Sequence, residues 1–484
     1  MSSEIVNGKV VAGALWWKLL ERLTSQGLNL VIQIVLARLL LPEDFGQLAI
    51  ISAIIVYCTV FVQGGLATAI IQKEDLKDVD VSTLLIISLG IAFLLYIGLF
   101  ILAPVISDYY SLHSLIWPLR VQSLALFLGA INSVQVALFS RAMDFKSIFF
   151  RSFLSVPISG AIGICLAFWG AGIWALISQS LSSMLITIIY MSFFPITHVK
   201  IGFSWKSAKE MYSFSGKILF SGLISTFGDT FRTMLIGKKY NSSSLAFYDK
   251  GYSYSSLVTQ IVTLSMSSVM LPAFSRIQTD KSEILRMARR TVGLVAFIMI
   301  PALVAVIGMA EPLVLLVLSE KWAPCVSFLM IFCLLRIPGC ITNIDKQVYL
   351  ACGNSSIGLY YEIVILIVNI SVLLYTSSIS IMAIAIGATI VEFVGNFVLL
   401  VVSHYVYGYQ LKDRLKDIWK PILNSSMMLV CLLFVGSLEI GYWSKLLIQI
   451  PLCVIIYYMG VKITRDSNYL YLKSLVRSKI NKNK

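Results

Sequence analysis

Fourteen stretches of this chain are each long and apolar enough to cross a membrane as a helix, and that repetition restricts the fold more than any motif does. They run roughly 14–40, 46–71, 82–106, 114–140, 147–168 and 172–195, then 213–237, 248–272, 290–318, 324–350, 357–376 and 379–405, and lastly 419–438 and 442–462. No run of short alternating segments points to an outer-membrane barrel. Composition agrees: 58% of residues are hydrophobic and 13% charged, against about 25% charged in soluble domains. Mean hydropathy is +0.87. The expected fold is an all-α polytopic membrane protein of about 14 transmembrane helices, with two pseudo-symmetric six-helix lobes around a central cavity and two extra C-terminal helices. The expected division is a lobe over 1–195, an amphipathic cytoplasmic linker over 196–212 and a second lobe over 213–405. Two added helices over 406–463 and a basic tail over 464–484 follow.

Lysine and arginine placement gives the orientation. With both termini in the cytoplasm, 26 of the 38 basic residues fall in inside segments, seven in outside segments and five within the spans. The net charge of +14 is thereby explained by membrane orientation, and a nucleic-acid partner is not expected. Residues Met1–Gly8 carry no basic cluster, and the first apolar run continues as a full span, so no cleaved signal peptide is expected. The linker mixes Phe203, Trp205, Met211 and Tyr212 with lysines, as a surface-lying segment does.

The five basic residues left in the spans are Lys18, Arg22, Arg232, Arg336 and Lys346. Each central charge costs about 2.5–3.5 kcal/mol to insert, so such residues usually face a wet interior or a partner. Lys18, Arg22, Gln26, Asn29 and Gln33 recur at steps of three and four and share one face of the first helix. Lys217, Ser221, Ser225, Asp229 and Arg232 repeat that design about 200 residues later. Ile236–Lys239 sits opposite Leu36–Leu39 at an offset of 200, as Ala246 does opposite Gly46. A duplicated bundle accounts for this, its two polar stripes facing each other across a cavity. Acidic residues in spans include Glu21, Asp229, Glu362 and Glu392. The candidate substrate-binding set is Lys18, Arg22, Gln26, Asn29, Lys217, Asp229, Arg232, Arg336, Lys346 and Glu392. The competing account makes Lys18 and Arg22 snorkelling residues. It makes Asp229 with Arg232, and Lys18 with Glu21, structural ion pairs, and the amides interhelical glue.

Eight cysteines lie mostly within apolar spans without a CxxC pair, and three histidines are scattered, so no metal or cofactor is expected. No phosphate-cradling glycine loop or nucleophile–base set is visible, which argues against an enzyme. Pro157, Pro301 and Pro338 with Gly339 permit bends of the kind rocking helices use.

Five segments carry a resemblance: ARLLLPEDFGQLA (37–49), GLATAIIQK (65–73), LFSRAMDFK (138–146), LPAFSRIQ (271–278) and SEKW (319–322). In combination they resemble the Wzx-like flippases and exporters of lipid-linked polysaccharide units, within the multidrug/oligosaccharidyl-lipid/polysaccharide exporter superfamily. The look is nearest the colanic and teichuronic acid exporter subgroup, and it loosens beyond Arg336. The resemblance implies movement of an undecaprenyl-diphosphate-linked oligosaccharide across the bacterial inner membrane by alternating access, residues 10–195 rocking against 213–405. It implies a role in O-antigen, capsule or exopolysaccharide synthesis. Expected partners are that substrate, membrane lipids, a proton or sodium ion for coupling, and a polysaccharide polymerase. The alternative is a cation-coupled multidrug exporter of the same superfamily, which calls for an acidic cavity rather than a basic one.

Overall fold

Apolar runs this long satisfy their own backbone only as helices when water is absent, and helices are what form. The computed structural model describes residues 8–278, 280–471 and 473–474. The side chains of 8–12, 14–15, 212–214, 217, 261–269, 271–272 and 355 lie outside that description. The first stretch holds α1 (Gly8–Leu39), α2 (Pro42–Gln63), α3 (Leu66–Gln72), α4 (Asp78–Tyr110), α5 (Ile116–Gln122), α6 (Ala125–Arg141), α7 (Phe145–Phe168), α8 (Ile173–Ser192) and α9 (Trp205–Lys239). Then come α10 (Ser242–Ser275), α11 (Lys281–Gly308), α12 (Ala310–Val317), α13 (Cys325–Ala351), α14 (Ser355–Thr376), α15 (Ile381–Tyr407), α16 (Leu411–Gly436) and α17 (Tyr442–Ile463). No strand occurs among the described residues. Among the described residues, eleven helical segments are long and apolar enough to cross a membrane. The polar helices α1, α9 and α10 are as long, at 32, 35 and 34 residues.

The repeat inferred from residues 36–39 and 236–239 extends to the turns that follow. Leu40 N–H donates to Leu36 at 2.8 Å, and Tyr240 N–H to Ile236 at 2.9 Å. The next helix then starts with a bond between corresponding positions, run in opposite senses: Asp44 in the helix accepts from Leu41 N–H at 3.1 Å, whereas Asn241 before the helix accepts from Ser244 N–H at 2.7 Å. A second correspondence links the turns after α6 and α13. Asp144 N–H reaches Phe139 at 3.0 Å and Asn354 N–H reaches Tyr349 at 2.9 Å. The preceding residue is left-handed in each, Met143 at φ 56° and Gly353 at φ 77°.

The chain packs as two compact units, one ending at Ala246 and the other starting at Phe247. In the first unit the segment after α8 is stitched to the start of α4. Ser82 Oγ donates to the Gly202 carbonyl at 2.5 Å, and Ser204 N–H donates to Thr83 Oγ1 at 3.0 Å. Ile201 and Trp205 in that segment are strongly exposed. Helix α9 then lies along α2, α3 and α4. Gly46 in α2 meets the Ser242 carbonyl so closely that a Cβ there has no room, and Gly237 in α9 takes Ile50. Residues 196–212, the expected linker, lie within the first of these two units. In the second unit α16 and α17 cover α11 and α12 through Ala296, Ile300, Val304, Met428 and Leu432. Fully buried Gln449 donates to the carbonyls of Gly308 at 3.3 Å and Leu432 at 2.9 Å, satisfying backbone at the α11–α12 break.

Candidate functional site

Helix α1 docks on α7 through one edge of its stripe. Ile32 fills the space above Gly160, and Glu21 accepts from Ser152 Oγ at 2.8 Å. Gln33 donates to Gln179 on α8 at 3.4 Å, an interhelical amide contact. Lys18, Arg22 and Asn29 stay exposed beside this seam, with Gln26 partly covered. Lys18 Nζ lies 5.6 Å from the centre of the Phe145 ring, an aromatic contact across to α7. The four substrate-set residues of α1 thus form one accessible polar strip of two positive charges and two amides.

On α9, Arg232 and Asp229 pair along the helix at 2.8 Å. The arginine is largely covered and the aspartate exposed, so the pair presents its acidic end. Lys217, the third expected residue here, has a side chain outside the described residues.

In the second unit a polar cluster joins α13, α14 and α15. Arg336 lies 4.4 Å from the Tyr252 ring centre of α10 and reaches that residue's carbonyl at 3.5 Å. Backbone contact at Gly251 against Phe328 and Leu329 brings the helices this close. Lys346 pairs with Glu362 at 3.1 Å. Glu392 lies within electrostatic reach of both Lys346 and Arg336. Its helix is fixed by Asn396, which donates to Thr342 Oγ1 at 2.7 Å and to the Pro338 carbonyl at 3.2 Å. The structure therefore gathers Arg336, Lys346 and Glu392, adds Glu362, and leaves the α1 strip as a separate feature of the first unit.

A charged assembly that the span charges did not suggest lies at the α13–α16 junction. Asp345 and Arg414, 0% and 2% exposed, form a two-pronged pair at 2.6 and 2.8 Å. Tyr407 donates to the same carboxylate at 2.6 Å. Next to it Tyr409 donates to Asp417 at 2.8 Å, and Arg289 grips Asp417 at 3.0 Å through two nitrogens and Asp413 at 3.2 Å. Asp345 sits in an apolar span and was the available signal; Arg414 reads as one more inside-loop cation.

The resemblance segments have a local physical basis. Helix α3 ends at Gln72 with its last carbonyls open. Arg141, from the 138–146 segment, donates to Ile70 at 2.8 Å, Ile71 at 3.3 Å, Glu74 at 2.8 Å and also Lys73. Three residues on, Asp144 caps α7 by accepting from Ser147 N–H at 3.0 Å. Segments 65–73 and 138–146 are thus two halves of one contact.

A sequence profile described as polysaccharide biosynthesis protein matches residues 35–327. The chain belongs to this polysaccharide biosynthesis family. Among curated relatives, the lipopolysaccharide biosynthesis protein WzxC of Escherichia coli K12 is 22% identical over 455 residues, covering 94% of this chain and 88% of that protein. The teichuronic acid biosynthesis protein TuaB of Bacillus subtilis 168 is 22% identical, covering 77% and 78%. The succinoglycan biosynthesis transport protein ExoT of Rhizobium meliloti 1021 is 23% identical; the match covers 66% of this chain and 64% of ExoT, just under two thirds of its length. The solved structure of lipid II flippase MurJ, inward closed, superposes with a TM-score of 0.76 at 15% identity, covering 93% and 98%. An inward-facing multidrug resistance transporter of the MATE family gives 0.62 at 16%, covering 84% and 95%. At these identities the two structures establish the fold.

Proposed function

We propose that this protein is a flippase that carries undecaprenyl-diphosphate-linked oligosaccharide units across the bacterial cytoplasmic membrane by alternating access, for an acidic surface polysaccharide. The observation that carries the reading is the exposed strip on α1. Lys18 and Arg22 stand four residues apart, about 6 Å along the helix axis, a spacing that brackets a diphosphate. Arg22 offers the planar fork suited to phosphate oxygens, and Lys18 adds a point charge. Gln26 and Asn29 continue the strip by one and two turns, where the first sugar hydroxyls of a bound head group lie.

In the second unit, Arg336 and the Lys346–Glu362 pair form a polar cluster of their own, and Glu392 beside them is the carboxylate suited to carry a coupling proton or sodium ion. Both termini are cytoplasmic in this reading, and the lobes 1–195 and 213–405 are the moving bodies. The family and the relatives' polysaccharide roles support it, and the MurJ superposition exceeds the MATE one. The two positive charges on α1 weigh against a cationic-drug exporter.

Deletion of the gene tests the reading in cells. Lipid-linked repeat units are expected to accumulate on the inner leaflet, with rescue by wild type and at least tenfold weaker rescue by Arg22→Ala. Accumulation on the outer leaflet refutes the flippase assignment. Full rescue by Lys18→Ala, Arg22→Ala and their double variant refutes the assignment of the strip.

A further inference from the structure

Where α11, α16 and the turn after α17 meet, a cavity of about 310 Å³ opens among Arg286, Arg289, Arg290, Lys416, Lys420 and Tyr471. Five cations line it against two carboxylates, Asp417 and Asp466. Asp417 is already engaged by Arg289, and Arg286 holds Glu283 at 2.6 Å. Arg290, Lys416 and Lys420 have no carboxylate partner among the described ion pairs.

The walls are built rather than incidental. The guanidinium of Arg290 stacks 3.2 Å from the Tyr471 ring centre. Lys420 donates to the Arg465 carbonyl at 3.1 Å, and Arg465 holds a left-handed φ of 47°. Asn468 is seated over Gly293, where a Cβ would come within 3.0 Å of its amide, and its N–H donates to Asp466 at 2.9 Å. Leu415, Trp419, Ile463 and Leu470 are exposed on the same elements, so the cavity sits where an apolar surface gives way to a basic one. All three elements fall in segments that the lysine and arginine distribution assigns to the cytoplasmic side.

We infer that this cavity binds the phosphate-bearing head group of an anionic membrane lipid, which bridges Arg290 on α11, Lys416 and Lys420 on α16 and the helical segment carrying Tyr471. A phosphodiester supplies the negative charge that three cations without a carboxylate partner lack, and its acyl chains lie along the exposed apolar faces. The site is independent of the α1 strip and of the cargo. Its effect is to add a head-group bridge, in an anionic bilayer, to the apolar packing that already holds α16 and α17 against α11.

The test is thermal unfolding of the purified full-length protein in neutral detergent, with phosphatidylglycerol or phosphatidylcholine added. Wild type should gain about 5–10 °C from phosphatidylglycerol, the size expected near a hundredfold excess over the dissociation constant, and little from phosphatidylcholine. Arg290→Gln/Lys420→Gln should lose most of that gain. Lys416→Gln, at an exposed position that tolerates change, should lose part of it if the double variant fails to fold. Lys146→Gln should keep it. An equal gain from inorganic pyrophosphate, with none from the lipid, supports the anion site and assigns it to a soluble phosphate. Equal gains in wild type and Lys416→Gln, or no gain from any phosphate compound, overturn the inference.

Discussion

Breaking the Asp345–Arg414 pair should be the most damaging conservative change in the second unit. Asp345→Ala removes the acceptor of two arginine bonds at 2.6 and 2.8 Å and of the Tyr407 hydroxyl at 2.6 Å. It leaves a guanidinium that is 2% exposed, whose Nε already has no partner. An uncompensated buried charge of this kind costs about 3–5 kcal/mol. For a unit of this size that is a fall of about 6–20 °C in Tm, at about 2–4 °C per kcal/mol. Arg414→Met should cost a similar amount by stranding the carboxylate. The double variant should lose less than the sum of the two, with a coupling energy of at least about 2 kcal/mol, because each single change already forfeits the shared bonds. Thermal unfolding of the four proteins in one detergent reads this directly. Raising the salt should leave the coupling nearly unchanged, since a pair this buried is poorly screened. Additive losses, or a coupling that vanishes in high salt, would show that the pair does not fasten α13 to α16.

Further expectations concern the first unit. Arg141→Ala leaves the end of α3 uncapped and should cost about 2–4 kcal/mol, judged from charge-assisted bonds to carbonyls. Arg141→Lys should recover under half of that, because one ammonium cannot span four carbonyls. Gly46→Ala drives a methyl into the Ser242 carbonyl and should destabilise by about 3 kcal/mol, with lower yield of folded protein. Lys73 ties Asp80 and Glu210 at 3.1 and 3.3 Å; burial alone would lower its ammonium, but the two carboxylates together hold it above the usual lysine value of 10.5. Its contribution is complete below the ordinary lysine value and is lost as pH rises through the folded one. Lys73→Met should therefore be less stable than wild type at pH 8, with the gap closing in strongly alkaline buffer.

The helical class was legible because an apolar run of membrane length has one means of satisfying its backbone. The repeat was legible at 36–39 and 236–239, where both helices end in the same turn, closed by an N–H donated to Leu36 and to Ile236. Pairs close in sequence could be weighed from spacing: Asp229 and Arg232, three apart, do meet. Lys18 and Glu21 are also three apart, yet Glu21 turns to Ser152 on α7, a neighbour 131 residues away. Arg414 was hidden for the same reason. It lies among four loop cations, and what removes it from solvent is Asp345, 69 residues earlier. Spacing along one helix says which side chains share a face, and only packing between helices says what that face meets. The approach of α9 and of the start of α10 to α2 was likewise set by Gly237 and Gly46, whose value is the absence of a side chain.

Translocation itself is the most direct test. Purified protein is reconstituted into liposomes holding an undecaprenyl-diphosphate oligosaccharide, and the fraction of head groups open to an added glycosidase is followed with time. The account predicts that the protected half becomes accessible with wild type, at least tenfold more slowly with Lys18→Ala/Arg22→Ala. Protection that stays as complete as in protein-free vesicles would contradict it.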